Sequence, residues 1–389
     1  VSGSAGLTTA GPDRLASFAG RALGSSLRLT VRIPEPAPAA SLAAATLAWA
    51  EILAEFDAVD AALSRFRDDS ELTMLNRLAG SGAVVAVSGR TRMALAAIDR
   101  ARRITDERFD AGVLGALERI GEHGAALDRP APVRPAPVRP ARARSAPVRP
   151  APVRPARARS APVRPAPVRP ARARSAPVRP APVRPARARS APVRPAVESA
   201  ERRFRVTVPP VPVDMGGIGK GLALRWAGER ARRLLPDGAG LLLEAGGDIV
   251  HRGTPPAEGW RIGIEDPAAA GGDETESIVV VDLRSGAVAT SSVAVRNWVG
   301  PDGRPVHHLL DPRTGEPARG GLIAVTVAAP DPAWAEVWSK ALFLLGRDGI
   351  AEDARARGLA AWWVDDRGRL GMTPDARLRT AWAAEDRLG

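Results

Sequence analysis

Lys220 stands among Gly216, Gly217, Gly219 and Gly221 in the stretch VDMGGIGKGLALRWAGERARRLL, which runs from Val213 to Leu235. The stretch starts extended, passes through the glycines and settles into a helical period on Leu222, Leu224, Trp226, Ala227, Ala231 and Leu234. A strand end, a glycine turn and a helix N-terminus make a place for an anion. Glycine lets the backbone approach a phosphate, first-turn N–H groups point at it, and the ammonium adds a full charge. A helix start that needed a flexible turn accounts for the same residues. A Walker loop is excluded, because Gly221 follows Lys220 where Ser or Thr belongs and Met215 replaces the first glycine. A Rossmann fingerprint lacks its surrounding βαβ series.

The segment VHHLLDPRTGEP, Val306 to Pro317, carries the other concentration of chemistry. His307 and His308 are two of only four histidines, Asp311 lies three residues on, and Thr314 and Gly315 shape a turn. A lone histidine is usually structural, whereas a pair beside an aspartate and the hydroxyls of Thr290, Ser291 and Ser292 points to function. Zinc is not expected, since His123 and His251 are the only other histidines and the spacing matches no common site. Gly246 and Gly247, just before Asp248, either admit a flat ligand or mark a bulge. Glu336 and Lys340 sit four apart on a helix opened by Asp331 and Pro332, the spacing of a surface ion pair or of two groups aimed at one ligand.

The 389 residues contain a 15-residue unit, APVRPAPVRPARARS, repeated four times from Ala131 and followed by one more APVRP ending at Pro195. Removing its 17 arginines from the formal net charge of +13 leaves −4 on the rest, so the basic balance belongs to the repeat. That argues against a nucleic-acid-binding domain, as does the absence of any zinc finger, basic helix or tyrosine. Proline locks φ and the arginines repel one another, so the repeat is expected to be an extended, disordered insert. It reads as an inert surface expansion, a tether to acidic lipid, nucleic acid or cell wall, or a docking segment for aromatic-lined grooves. With no cysteine, disulfides, iron–sulfur clusters and thiol catalysis are excluded. No apolar run reaches 18 residues, so no membrane span is expected. The compartment reads as cytoplasmic, or as membrane-peripheral or extracytoplasmic if a signal segment has been removed.

Residues 1 to 20 read as a flexible leader, followed by a strand at Ser25–Arg32 and a long helix from Ser41 to Phe66. Ser70 caps a short helix that Asn76 closes, a strand covers Val84–Val87, and a helix covers Thr91–Glu107. In the segment Phe109–Gly115, Asp110 is an unusual acid among small residues, which an Asx turn also explains. After the insert come short strands with sparse helix between them, then the Asp331–Leu345 helix closed by Gly346, a helix Ala351–Arg357 and a strand Ala360–Val364. This pattern implies an α+β fold with mixed or antiparallel sheets and packed helices. The expected division is a first part over 21–130, the insert over 131–195, a second part over 196–372 and a tail over 373–389.

Eight blocks taken together resemble the ApbE family, the FAD:protein FMN transferases. They are Leu23-Gly24-Ser25, LSRFRDDSELTMLN (Leu63–Asn76), FDAGVLGAL (Phe109–Leu117), DMGGIGKG (Asp214–Gly221), Gly246-Gly247-Asp248, WRIGIEDP (Trp260–Pro267), Thr290-Ser291-Ser292 and HHLLDPRTG (His307–Gly315). The resemblance implies an ApbE-like fold that binds FAD in a groove with Mg2+ at its pyrophosphate. It implies transfer of the FMN half to a Ser or Thr hydroxyl of an acceptor flavoprotein, with release of AMP. By the same resemblance Ser25, Asp214, Gly217, Lys220, Gly221, Gly246, Gly247, Asp248, Thr290, Ser291 and Lys340 would hold FAD. His308 and Asp311 would sit beside the reacting phosphate, with His308 as general base. The family's metal-binding aspartate and threonine fall on Glu336 and Lys340, and a charged lysine cannot ligate a metal. Lys340 would then replace the ion's charge, leaving Glu336 as the one metal-ligand candidate. A non-catalytic FAD-binding protein and an FAD pyrophosphatase giving FMN and AMP are the alternatives.

Overall fold

Ala287, Val288 and Ala289 are all buried, yet the two alanines face one apolar cluster and Val288 faces another. A strand that buries both faces lies between two layers, and period-two alternation decides which side chain enters which. The computed structural model describes residues 4–10, 13–34, 39–122, 202–268 and 277–389. The expected insert over 131–195 and His123 lie outside the described residues.

The elements in the first part of the chain are β1 (Ser4–Ala10), β2 (Asp13–Ala22), β3 (Ser25–Ile33), α1 (Ala39–Leu63), α2 (Glu71–Arg77), β4 (Val84–Val87), α3 (Gly89–Ile104) and α4 (Leu114–Arg119). Next come β5 (Phe204–Thr207), α5 (Gly219–Leu234), β6 (Gly240–Ala245), β7 (Asp248–Gly253), β8 (Trp260–Glu265), β9 (Ser277–Leu283) and β10 (Gly286–Ser292). Four short strands follow, β11 (Asn297–Val299), β12 (Pro305–His307), β13 (Leu310–Asp311) and β14 (Glu316–Pro317). The chain continues through β15 (Leu322–Ala329), α6 (Pro332–Ala356), β16 (Ala360–Asp365), β17 (Leu370–Met372), α7 (Pro374–Arg377) and β18 (Thr380–Ala383).

A nine-stranded sheet runs β1-β2-β3-β6-β7-β10-β15-β16-β17, and every neighbouring pair in it is antiparallel. One face of this sheet packs against α1, α5 and α6. Ile249, Val288, Ala328 and Trp362 point to the other face, where they meet the three-stranded sheet β18-β9-β8 through Ile262, Val279 and Val281. The fold is therefore α+β with antiparallel sheets. Among the described residues no helix is long and apolar enough to cross a membrane.

Four expectations need correction. The leader expected over 1–20 contributes β1 and β2, whose partner is β3, and Phe18 stacks on Trp49 with ring centroids 5.9 Å apart. Its alanines, serines and glycines carry little strand propensity of their own, so tertiary pairing makes the strand. The tail expected after residue 372 forms α7, capped by Thr373, and then β18, which completes the three-stranded sheet beside β9. Gly346 breaks α6 where its closure was expected, at φ 71°, but helix resumes at once instead of at Ala351. Asn76 lies inside α2 and closes nothing there. Its side-chain amide instead donates to the Val213 carbonyl and accepts from the Val213 N–H, both at 2.9 Å.

Candidate functional site

That amide clamp holds the chain as it enters the glycine turn. Asp214 donates its N–H to the Ala111 carbonyl at 2.8 Å and accepts the Gly216 N–H at 3.0 Å, and α5 begins three residues later. A Cβ on Gly217 would lie 2.7 Å from the Phe109 ring, and one on Gly221 2.5 Å from the Ala333 Cα. These two glycines are thus required by close packing of a ring and of the first turn of α6. The Gly221 N–H, expected to be free for an anion, donates to Glu336 at 2.8 Å. A carboxylate already occupies this part of the helix terminus, where the macrodipole favours it.

Glu336 brings together an inner quartet of charges. Its other oxygen lies 3.4 Å from the Lys340 ammonium and 3.7 Å from that of Lys220, while Lys220 pairs with Asp248. Burial alone would lower Lys220, but Asp248 and Glu336 outweigh it and hold the ammonium above its ordinary range. For Lys340 burial wins over Glu336 and pushes the ammonium down. Asp248 also accepts the Thr290 N–H at 3.1 Å, which ties β7 to β10 beneath the cluster.

A cavity of about 60 Å³ opens beside the turn, lined by Asp214, Gly217, Lys340, His308, Arg296 and Glu122 among others. Val113 and Pro312 line both this cavity and a neighbouring groove of about 360 Å³. His308 donates from Nδ1 to the Arg296 carbonyl at 3.2 Å, which leaves Nε2 with its lone pair. Burial first, then the charges of Arg296 and Lys340, keep this imidazole well below the usual histidine range, and therefore neutral. An outer quartet completes the wall. Arg65 reaches Glu122 at 3.6 Å and Asp214 at 3.4 Å, and Arg296 pairs with Glu122. In three pairs the acid is nearly sealed and the cation is not: Asp248 and Lys220 are 4% and 28% exposed, Glu336 and Lys340 1% and 17%, Glu122 and Arg296 2% and 34%. Cations backed by buried acids present positive charge to whatever enters, with little reorganisation.

The other expected residues are placed as follows. His307 bonds the Ala318 carbonyl through Nε2 at 3.0 Å and meets Phe343 edge-on, a structural role. Among the described residues no hydrogen bond joins Asp311 to His308. Arg313 binds its carboxylate at 2.7 Å and holds it below the usual range, and Asp311 also shapes the turn to Gly315. Gly246 and Gly247 are neither a bulge nor a break, since with φ of 58° and 89° they form the two-residue turn of the β6–β7 hairpin. A Cβ on Gly246 would come within 2.8 Å of the Ser25 hydroxyl, so Ser25 sits against that turn. Thr290 bonds Thr326 at 2.9 Å, and Ser291 bonds Ser339 on α6 at 2.7 Å. Asp110 makes the Asx turn, accepting the Gly112 N–H at 2.7 Å. Arg65, Glu122 and Arg296 escaped sequence reading. The one local signal is Gly121, whose φ of 92° ends α4 and directs Glu122 inward.

The donor set does not fit magnesium. Glu336, the candidate ligand, faces two ammoniums and a backbone N–H, and a dication at that carboxylate would be repelled by both lysines. Among the described residues no group of three or more His, Cys, Asp or Glu could hold a metal ion.

Known proteins resemble this chain in sequence and in fold. FAD:protein FMN transferases from Klebsiella pneumoniae (strain 342) and Escherichia coli (strain K12) are 30% and 31% identical over 187 and 175 residues, covering 46% and 44% of this chain. The chain spans about half the length of these curated relatives, 51% and 47%. The fold is similar to the crystal structure of the ApbE protein from Thermotoga maritima, with a TM-score of 0.65 at 24% identity over 95% of this chain and 100% of that one. It is also similar to the apo form of Pseudomonas stutzeri flavinyl transferase ApbE, with a TM-score of 0.64 at 21% identity over 97% and 100%. The family profile described as the ApbE family matches residues 23–363, and the chain belongs to that family.

Proposed function

We propose that this chain transfers the FMN half of FAD to a Ser or Thr hydroxyl of an acceptor protein and releases AMP. The observation that carries the reading is a neutral His308, with Nε2 unused, in the same cavity as Lys340 and the Asp214–Gly217 turn. Relatives named FAD:protein FMN transferase support it. The acceptor oxygen attacks the FMN-side phosphorus, the bond from that phosphorus to the bridging oxygen breaks, and AMP leaves with the electron pair. His308 takes the hydroxyl proton on Nε2. Lys340 and Lys220 face the charge of the pyrophosphate, with Glu336 and Asp248 fixing them from behind. Asp311 serves the loop and not the reaction.

The lysines do the work that a magnesium ion would do, so FAD binding is independent of metal. Incubation with FAD and a threonine-containing acceptor peptide, with and without magnesium and with chelator, tests both points. Covalent flavin on the peptide and one AMP released per flavin, undiminished by chelator, is expected. Free FMN with AMP would make the protein a pyrophosphatase, and unchanged bound FAD would make it a flavin carrier. Replacing His308 by alanine is expected to lower transfer by about 10²–10⁴-fold while sparing FAD affinity.

A further inference from the structure

Arg296 belongs to none of the family-like blocks, and it lies in the loop between β10 and β11. Asn297 stiffens that loop, its amide donating to the carbonyls of Val293 at 2.8 Å and Ala294 at 3.1 Å. The Arg296 guanidinium lines the cavity, spends one terminal nitrogen on Glu122, and has a buried Nε with no hydrogen-bond partner among the described residues. Buried donors are almost always matched, so a bare Nε beside a cavity marks a place for an acceptor. Glu122 is built to hold it. After α4, the Glu122 N–H bonds the Leu117 carbonyl and the Gly121 N–H bonds the Glu118 carbonyl, both at 3.0 Å, the two bonds of a Schellman turn. The Trp298 indole donates to the Ile120 carbonyl at 2.7 Å and pins this turn to β11, two residues from Arg296. The Arg296 carbonyl meanwhile orients His308.

We propose that Arg296, held by Glu122, is a phosphate ligand of this site and sets the acceptor geometry of His308 from the same residue. The proposal rests on the FMN-transfer reading for its substrate, a pyrophosphate diester. A guanidinium offers a planar set of donors that matches phosphoryl oxygens, and Lys340 stands in the same cavity to share the charge. A carboxylate ligand would use one cation and leave the others unmatched, whereas a pyrophosphate has oxygens for Arg296 and for both lysines.

The test is titration of the full chain with inorganic pyrophosphate and with FAD, by calorimetry, for the unaltered protein, Arg296→Gln, Arg296→Lys and Glu122→Gln. Arg296→Gln is expected to weaken both ligands by about tenfold to a hundredfold, the cost of a charged hydrogen bond. Arg296→Lys should fall between, and Glu122→Gln should weaken them less and shift the acid limb of transfer through His308. Unchanged pyrophosphate affinity in Arg296→Gln, or none in the unaltered protein, overturns the proposal. Should Arg296→Gln fail to fold, unaltered affinity in a folded Arg296→Lys has the same force. Pyrophosphate binding that depends on Arg296 in a protein that transfers no FMN would sink the functional reading and leave this one standing.

Discussion

Two quartets of charge meet at one cavity, each with two cations and two acids, the inner one lining it through Lys340 and the outer one through Asp214, Glu122 and Arg296, and they are built differently. The inner one, Lys220, Asp248, Glu336 and Lys340, is wedged between α5, β7 and α6, and one acid also accepts a helix N–H. The outer one, Arg65, Asp214, Glu122 and Arg296, comes from turns and joins through arginines that reach across them. The inner acids are nearly sealed, so a lysine that left would strand a carboxylate in a low dielectric, and the inner quartet is both site and core. In the outer quartet Arg296, 34% exposed, can turn toward water, while Arg65, 8% exposed, stays between the two carboxylates, as suits a weakly hydrated guanidinium. The inner charges therefore hold the fold, and of the outer ones Arg296 shapes access.

The largest consequence concerns Glu336. Glu336→Gln keeps the volume but strands Lys340 and weakens the tie from α6 to the start of α5. It is expected to cost about 3–5 kcal/mol of stability, the cost of breaking a buried ion pair. Denaturant melts with an unchanged m-value would report it. A loss below 1 kcal/mol would erase the distinction between the quartets.

Glu122→Ala probes the other side. Arg65 keeps Asp214, and Arg296 is exposed enough to be hydrated, so the expected cost is about 1–3 kcal/mol, mainly for the unmatched hydrogen bonds. A double-mutant cycle with Arg296→Gln should show coupling, since the two side chains touch. The same cycle between Glu122 and Glu336 should be additive within about 0.5 kcal/mol. Coupling there would mean the quartets act as one.

The same contrast explains what could be read from the sequence. Every inner residue lies in a patterned block, Lys220 among glycines, Asp248 after a glycine pair, Glu336 and Lys340 one helical turn apart. Of the outer four only Asp214 does so in a way that drew notice. Glu122 and Arg296 meet because a Schellman turn and a tryptophan hydrogen bond fold two loops together, and neither leaves a periodic trace. Asp311 shows the converse. Three residues from His308 it looked like a partner, but it opens the turn to Gly315 and Arg313 takes its carboxylate. Strands were legible where valine and isoleucine alternate, and β2 was not, because its buried positions are Ala16 and Phe18 among serine, alanine and glycine.

The smallest effect lies in pH. His308 stands between the quartets, lowered first by burial and then by one cation from each, Arg296 and Lys340. His251 and His307 are lowered as well, both mainly by burial. For all three the unfolded chain, near 6.5, takes a proton before the folded one does. The stability they contribute is therefore present above 6.5 and lost as pH falls from there through the folded values. Melting followed from pH 8 to 5 should be flat and then decline. Transfer should stay level through 6.5, because the base is still unprotonated, and fall only in more acid solution. Removing either cation should move that acid limb upward, since a positive neighbour no longer opposes the imidazolium. Arg296→Gln should move it further than Lys340→Met, as the Arg296 charge bears more strongly on the ring. The reverse order would place the inner quartet electrically nearer the base, and with it the control of His308.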